Sequence, residues 1–349
     1  MYSTAMNGWG ETMEVIYHAG MHKTGTTFVQ MWLKDNRDKL LSEGTWVFIP
    51  ETLGPLVLLR GDALVAKLQE LVEAVRLAGG KRIIISHEGI SFFDRQRIAL
   101  LARAIPNVRT RCILTIRHWN GFLPSRWKQN VSRADSQSFG KMVARLRDPE
   151  SVSINLRFDL LVQCILDAGF DTNAIVSYDR AAKDGGILQA VLEAADISPP
   201  KDAISRPNRI NESLDILSTD IVRLFNGIRA RAEGLLQNPL HDAREDPSIR
   251  PHYFDHNRHL IVDVMNRSFP EIVERLSQAE PTVLRAADFL PIAARLEALV
   301  APFVVNPTQG CLFPDTPDRD VCTSPLELED LPPVVTEKIL LAVKEGAAR

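Results

Sequence analysis

The sequence predicts an α/β protein with an open parallel β-sheet, helices on both faces of that sheet, and a mainly helical C-terminal portion. Two observations support this fold class. Short, nearly continuous apolar runs alternate with segments of helical periodicity in residues 1–200, which is typical of parallel strands covered on both faces. In residues 201–349 the helical spacing continues and no convincing strand is evident. We therefore expect a core in the first range and a helical portion packed on it in the second.

Five apolar runs are candidate strands, and the second of them is the weakest. They cover residues 14–20, 45–50, 81–88, 110–117 and 173–179. Strands that alternate with helices form a parallel sheet with right-handed crossovers, so all five are expected in one sheet. Open sheets of this kind bind ligands at the carboxyl ends of their strands, which makes the residues that follow each run candidate site residues.

Helical patterns separate these runs. The first begins near Thr26, and the second covers residues 62–80, where a terminal glycine pair suits a C-cap. The third begins after Asp94, a predicted N-cap, and two more cover residues 121–131 and 156–170. Further helical segments follow in the C-terminal portion, and the last is a single amphipathic helix after a loop.

Charge and composition argue against several classes of protein. The formal net charge of −3 disfavours general nucleic-acid binding, and no apolar run is long enough to span a membrane. The N-terminus has no basic region followed by an apolar stretch, so no secretory signal is predicted. The four cysteines lack metal-binding spacing and are interpreted as free thiols in a reducing compartment. These features predict a cytoplasmic protein without a bound metal.

The segment 18-HAGMHKTGTTF-28 joins the first predicted strand to the first predicted helix. Gly20 and Gly25 have the spacing of a Walker-type phosphate loop, but Lys23 precedes the second glycine instead of following it. Glycines let the backbone approach a ligand, and N–H groups at a helix N-terminus form an anion site. His18 is interpreted as shaping the turn by local hydrogen bonds. Besides the charge of Lys23, hydroxyl donors are available from Thr24, Thr26 and Thr27.

A basic stretch without acidic residues covers positions 95–133 and indicates a second anion site. Within it, Arg117 ends a predicted strand where a Walker-type NTPase would place a Mg²⁺-binding acid. Ser125 follows on the next predicted helix. An arginine at this edge of a sheet can hold a phosphate through its fork of donors, with a serine hydroxyl beside it. Together with the loop, this pair predicts a ligand with two separated phosphate groups and no metal.

These two motifs in this order resemble the sulfotransferase family that uses 3′-phosphoadenosine 5′-phosphosulfate (PAPS). The wider sequence pattern, HxGxHKTGTT with a later SHEGIS and RPNRINESL, is similar to the bacterial type of that family. The resemblance implies a P-loop NTPase-like sulfotransferase fold. It also implies transfer of a sulfuryl group from PAPS, with adenosine 3′,5′-bisphosphate (PAP) as the product and no metal.

The resemblance assigns residues to the parts of this nucleotide. Arg117 and Ser125 would hold the 3′-phosphate. His22 is a candidate contact to the sulfate, and Phe28 is expected near the adenine. The 5′-phosphosulfate would be held by the loop residues Lys23, Thr24, Gly25, Thr26 and Thr27.

Sulfuryl transfer also needs a general base that takes the proton of the attacking acceptor. The end of the run 81–88 offers His87 and Glu88, and neighbours in a strand face opposite sides, so only one of them can point at the acceptor. The family uses either residue type here, and the bacterial-type S-x-E pattern, matched by Ser86 and Glu88, favours Glu88 over His87. Lys23 would stabilise the charge on the leaving oxygen.

Two alternative functions stay open. A degenerate P-loop kinase or NTPase would require Mg²⁺ and an acidic residue after a core strand. A catalytically silent protein on the same fold would bind PAP without transferring a sulfuryl group. The expected acceptor is a small molecule or a carbohydrate, bound by variable loops of the C-terminal portion. The sequence does not indicate which acceptor is used or which oligomeric state the protein adopts.

Overall fold

The computed structural model describes most of the chain. The described residues are 13–21, 23–147, 157–184, 186–205, 214–233, 258–278, 280–285, 289–300, 312–313 and 318–347. Two features singled out in the sequence, His22 and the RPNRINES segment, lie outside these residues.

Five parallel strands form the main sheet. In chain order they are β1 (Glu14–His18), β2 (Thr45–Phe48), β3 (Arg82–Ser86), β4 (Arg109–Ile116) and β5 (Thr172–Ser177). Their order across the sheet is β2-β3-β1-β4-β5, so β1 is the central strand. All five predicted strands are therefore confirmed, and they belong to one parallel sheet that is flanked by helices.

Burial explains why these segments are strands. Every residue of β1 is buried, and Ile83, Ile84 and Ile85 of β3 are at most 3% exposed. β-Branched side chains have restricted rotamers and pack well on a pleated surface that is covered on both faces. The register places His18, the last residue of β1, beside Ser86 of β3 and Ile113 of β4.

Two of the predicted helix caps are present in the structure. Asp94 accepts a hydrogen bond from the N–H of Arg97 at 2.8 Å. Gly79, in the predicted glycine pair, has a left-handed backbone just after the observed helix ends at Leu77. In chain order the described helices are α1 (Thr26–Asp35), α2 (Arg37–Ser42), α3 (Pro50–Leu53), α4 (Gly61–Leu77), α5 (Arg95–Arg103), α6 (Trp119–Val131), α7 (Phe139–Arg147), α8 (Phe158–Ala168), α9 (Tyr178–Ala181), α10 (Ile187–Ala194), α11 (Ile216–Ala232), α12 (Arg258–Ser268), α13 (Pro270–Ser277), α14 (Leu290–Val300) and α15 (Pro333–Ala347).

Contacts divide the chain into two compact units, each built from three segments. The first unit comprises Met1–His118, Ser153–Ile210 and Phe289–Thr316, and the second comprises Trp119–Val152, Asn211–Asp288 and Pro317–Arg349. Segments of the two units alternate along the chain, so neither unit corresponds to a single continuous range. The predicted division into domains near residue 200 therefore stays a prediction.

The first unit contains the parallel sheet and a continuous apolar core. Ile16 and Ile113 of the sheet meet Val29 and Leu33 of α1 and Val191 of α10 in this core. In the same unit α8 packs on α5 and on α14. The contacts of Val29 and Leu33 with the sheet residues place α1 against the sheet.

The second unit is built around α11, which packs on α6, α12, α13 and α15. It also contains an antiparallel pair, β6 (Glu280–Leu284) and β7 (Arg319–Thr323). The expectation of no strand after residue 200 is therefore wrong. In β7 only Val321 and Thr323 are buried, and β6 contains Pro281, so neither segment gives a continuous apolar run.

Candidate functional site

The β1–α1 loop, residues 19–25, extends from the carboxyl end of the central strand. Its first part runs along β4, because the N–H of Met21 donates to the carbonyl oxygen of Thr115 at 3.0 Å. Its last part turns sharply, with φ values of 64° at Lys23 and 79° at Gly25. Positive φ values are uncommon for residues other than glycine, so the backbone at Lys23 has a sparsely populated conformation. The turn leads into the N-terminus of α1, whose unpaired N–H groups favour anions.

Threonine side chains stabilise this loop from within. The hydroxyls of Thr24 and Thr26 are buried and donate to the carbonyl oxygen of Met21, at 2.5 and 3.4 Å. A Cβ at Gly20 would lie 2.2 Å from the Thr26 hydroxyl oxygen, so only glycine fits there. Thr27 and Lys23 are exposed. Of the predicted hydroxyl donors, two therefore shape the loop in this structure, and Thr27 faces solvent.

Arg117 follows β4 and contacts the β1–α1 loop. Its Nη1 donates to the carbonyl oxygen of Lys23 at 3.2 Å. Its guanidinium carbon lies 4.8 Å from the ring centroid of Tyr178, and its Nε is 3.9 Å from Oδ1 of Asp179. A guanidinium placed over an aromatic ring gains a cation–π attraction. Arg117 is thus held between the loop and the end of β5.

Asp179 connects the ends of β4 and β5. Its Oδ2 accepts a hydrogen bond from the backbone N–H of His118 at 2.6 Å. Burial raises the pKa of Asp179, and the hydrogen bond from His118 and the charge of Arg117 partly oppose that increase. The carboxylate therefore orients the backbone directly after Arg117 as well as pairing with its side chain.

His87 and Glu88 follow β3, on the other side of β1 from Arg117. His87 is the N-cap of a 3₁₀ turn over Glu88–Phe92, and its Nδ1 accepts the N–H of Gly89 at 2.8 Å. This bond assigns the proton of the neutral ring to Nε2. Burial lowers the pKa of His87, so the ring is neutral near pH 7. His87 thus offers a donor, and its only lone pair is already used.

Glu88 has a different environment. It is half-buried in the first turn of the 3₁₀ helix, and its backbone oxygen accepts the hydroxyl of Ser91 at 2.7 Å. The carboxylate has several lone pairs, so it can accept a further proton or hydrogen bond from a ligand. Of the two adjacent residues, His87 is therefore the one whose lone pair is occupied in this structure, and the choice of Glu88 as general base stays a prediction.

A cavity of about 460 Å³ lies in the first unit beside α1. Its lining is mostly apolar and includes Phe28, the third residue of α1. The other residues that give it its apolar character are Trp32, Leu188, Leu192, Ile197 and Pro199. Apolar cavities with a few polar groups at the rim are typical of sites for small ligands and cofactors.

Several predicted residues are brought together in the first unit, and others are not part of this assembly. Lys23, Arg117 and Glu88 lie at the ends of the adjacent strands β1, β4 and β3. Ser125 is half-buried on α6, in the second unit. His22 lies outside the described residues, so its predicted contact has no structural description.

The sequence interpretation missed Tyr178 and Asp179, which hold Arg117. The signal was present, since they are the last two residues of the predicted strand 173–179, at the ligand-binding edge of the sheet. Neither belongs to a glycine-rich or basic motif, so the pattern did not single them out.

The described residues contain no group of three or more His, Cys, Asp or Glu side chains that could hold a metal ion. None of their helices is both long and apolar enough to cross a membrane. Comparisons of the chain with protein-family models, curated proteins and solved structures found no match.

Proposed function

We propose that this protein is a PAPS-dependent sulfotransferase. The observation that carries the proposal is the convergence of three chemical groups on three adjacent strands. The β1–α1 loop with Lys23, the guanidinium of Arg117 and the carboxylate of Glu88 occupy the ends of β1, β4 and β3. Arg117 hydrogen-bonds to the loop itself. The arrangement suits a ligand that carries two phosphate groups and a reacting group near a base.

The proposed reaction is an in-line displacement at sulfur. A bond forms between the sulfur and the acceptor oxygen or nitrogen, and the bond from the sulfur to the bridging phosphate oxygen breaks. Glu88 takes the proton of the acceptor, and Lys23 stabilises the negative charge that develops on the leaving oxygen. PAP leaves as the second product. The N–H groups at the start of α1 hold the 5′-phosphate throughout.

The other predicted residues have supporting roles in this proposal. Arg117 binds the 3′-phosphate and His22 contacts the sulfate, and the part of Ser125 in holding the 3′-phosphate stays a prediction from the sequence. The Nε2–H of His87 donates a hydrogen bond instead of taking a proton, because Nδ1 is occupied by Gly89. Phe28 and the cavity beside α1 support binding of the adenine. The proposed acceptor is a small hydroxylated molecule or a carbohydrate, and the proposed location is the cytoplasm.

Ligand-induced thermal stabilisation tests the proposal. PAP without Mg²⁺ should raise the melting temperature, since a ligand at 100 times its Kd stabilises the folded state by about 2.7 kcal/mol. ATP with Mg²⁺ should raise it less. Lys23→Ala and Arg117→Ala should each reduce the shift caused by PAP. Matched controls are Lys34→Ala and Arg95→Ala, whose side chains form exposed ion pairs with Glu51 and Asp167.

The outcomes separate the alternatives. Stabilisation by ATP with Mg²⁺ but not by PAP would support a kinase or NTPase and refute the proposal. Stabilisation by PAP combined with no transfer of label from ³⁵S-PAPS to a panel of sugars, phenols and amines would support a silent PAP-binding protein. Transfer to one acceptor class would identify the substrate.

A further inference from the structure

His18 lies at the centre of the sheet edge that carries the candidate site. It is the last residue of the central strand and is 1% exposed. Its neighbours across the sheet are β3, which leads to Glu88, and β4, which leads to Arg117. The β1–α1 loop begins at the next residue. His18 therefore lies between the strand that leads to Glu88 and the strand that leads to Arg117, directly before the β1–α1 loop.

Both ring nitrogens of His18 have a hydroxyl partner on a different strand. Nδ1 lies 2.8 Å from Oγ of Ser86, the last residue of β3. Nε2 lies 3.3 Å from Oγ1 of Thr115, near the end of β4. Ser86 and Thr115 are both 0% exposed, so water does not replace these bonds. The imidazole thus connects β3 to β4 through the strand between them.

Backbone hydrogen bonds at the same level tie these groups to the site. The N–H of His87 donates to the carbonyl oxygen of His18 at 3.1 Å, and the N–H of Met21 donates to that of Thr115 at 3.0 Å. The side chain of Gln30 on α1 donates to the carbonyl oxygen of Ser86 at 3.2 Å. A shift of Ser86 should therefore move the adjacent residues His87 and Glu88, and a shift of Thr115 should move the β1–α1 loop at Met21.

The imidazole of His18 also lies close to the backbone of the β1–α1 loop. A Cβ at Gly20 would lie 3.2 Å from Nε2 of His18, so the loop backbone passes directly over the imidazole. The two partners are hydroxyls, which can either donate or accept, so a neutral ring with one N–H satisfies both bonds. Burial lowers the pKa of His18 to about 4, which keeps the ring neutral in ordinary conditions.

We propose that His18 is a positioning residue that holds Glu88, Arg117 and the β1–α1 loop in register through its two hydrogen bonds to Ser86 and Thr115. It does not touch the substrate. This role rests on the proposed function, since it concerns the spacing of the base and the phosphate-binding groups. Loss of either hydroxyl should loosen one strand end against the other, with a larger effect on turnover than on nucleotide affinity.

Hydroxyl deletions test the connection without removing the buried ring. Ser86→Ala and Thr115→Val should each lower kcat about two- to tenfold, the range expected for one hydrogen bond, with a smaller change in KM for PAPS. Thr110→Val is the matched control. Thr110 is buried on the same strand and hydrogen-bonds Asp171 at 3.1 Å, but at the opposite end of β4. It should lower stability and leave kcat unchanged.

A conservative variant tests which nitrogen serves which strand. The amide of Asn reaches about as far as Nδ1 of histidine, so His18→Asn should keep the bond to Ser86 and lose the bond to Thr115. In that background Ser86→Ala should still lower kcat, and Thr115→Val should have no further effect, because contacting residues are not additive. Equal effects of Thr115→Val in both backgrounds would overturn the proposal.

Amide hydrogen exchange of the nucleotide-free protein separates this inference from the proposed function. Ser86→Ala and Thr115→Val should accelerate exchange at the amides of His87 and Met21, relative to Thr110→Val. If the wild type fails to bind PAP, the proposed function is wrong, and exchange alone decides whether His18 holds the strand ends. Unchanged exchange in both variants refutes the inference even if PAP binds and sulfuryl transfer occurs.

Discussion

The chemical role of a residue at this site depends on which of its atoms are already in use. His87 and Glu88 are neighbours and both are common catalytic bases. His87 caps a 3₁₀ turn with its Nδ1, and its pKa is lowered by burial. The energy of that cap would be lost if the ring took up a proton there, because a protonated nitrogen cannot accept the N–H of Gly89. A carboxylate such as that of Glu88 has several lone pairs, so a hydrogen bond to one of them leaves others that can take a proton.

Substitution of the two candidates should therefore have unequal effects. Glu88→Gln should reduce kcat/KM for the acceptor by about 100-fold or more, the usual contribution of a general base. PAP binding should change little, because the carboxylate faces the acceptor in the proposed reaction. The measurement is steady-state transfer of label from PAPS, together with calorimetric titration of PAP.

His87→Asn is the companion variant, since the amide oxygen of Asn reaches about as far as Nδ1 and can still accept the N–H of Gly89. We expect at most a tenfold decrease in activity, corresponding to one hydrogen bond. If His87→Asn is more damaging than Glu88→Gln, the assignment of the base to Glu88 is wrong.

At the scale of elements, the predicted strands and the observed ones coincide because their signal is local. A buried parallel strand needs a short run of apolar residues, and β1, β3, β4 and β5 each provide one. The same reasoning fails for β6 and β7, because an antiparallel pair with one solvated face needs only alternate apolar residues. In β7 the buried positions are Val321 and Thr323, and only Val321 is apolar, so no alternating apolar pattern is evident in the sequence.

In the candidate site, too, some features follow from local sequence patterns and others do not. The placement of Arg117 and Glu88 just after adjacent parallel strands could be predicted, because the fold class alone places the carboxyl ends of the strands at one edge. The hydrogen bond of His87 to Gly89 and the contacts of Arg117 with Tyr178 and Asp179 could not. They depend on the conformation of the connecting turns and on which strands are neighbours, and neither is encoded in a short motif.

In the second unit, α11 depends on a buried charge pair. Arg223 and Asp220 are each 1% exposed, and Nε of Arg223 donates to Oδ1 of Asp220 at 2.8 Å. The same guanidinium donates to the carbonyl oxygen of Leu326 at 2.7 Å. The pKa of Asp220 is raised by burial, and the charge of Arg223 opposes this. The pair therefore ties α11 to the segment before α15.

Arg223→Ala should destabilise the protein by about 3–5 kcal/mol, because it leaves the carboxylate of Asp220 buried without its counter-ion. The measurement is chemical denaturation at pH 7. Arg231→Ala, on the same helix, removes an exposed pair with Glu329 and should cost less than about 1 kcal/mol. Similar losses in the two variants would show that the buried pair does not hold α11 in place.

For the whole molecule, buried neutral histidines should make stability sensitive to acid. Burial lowers the pKa of His18 and of His118 to about 4 in the folded protein, against an ordinary value of about 6.5. Between these values the unfolded chain binds more protons than the folded one. Their contribution is therefore complete above pH 6.5 and is lost as the pH falls toward 4. The raised pKa values of Asp135, Asp179 and Asp220 act in the opposite direction.

A comparison of wild type with His18→Asn isolates one histidine from these opposing groups. At pH 7 the wild type should be the more stable, because the asparagine loses the bond to Thr115. At pH 5 that advantage should shrink by about 2 kcal/mol, since only the wild type has to keep a buried imidazole unprotonated. Urea denaturation at both pH values measures the difference. Parallel losses in the two proteins would mean that His18 titrates normally and is reached by water, which would also remove the basis for its place as a dry connection between β3 and β4.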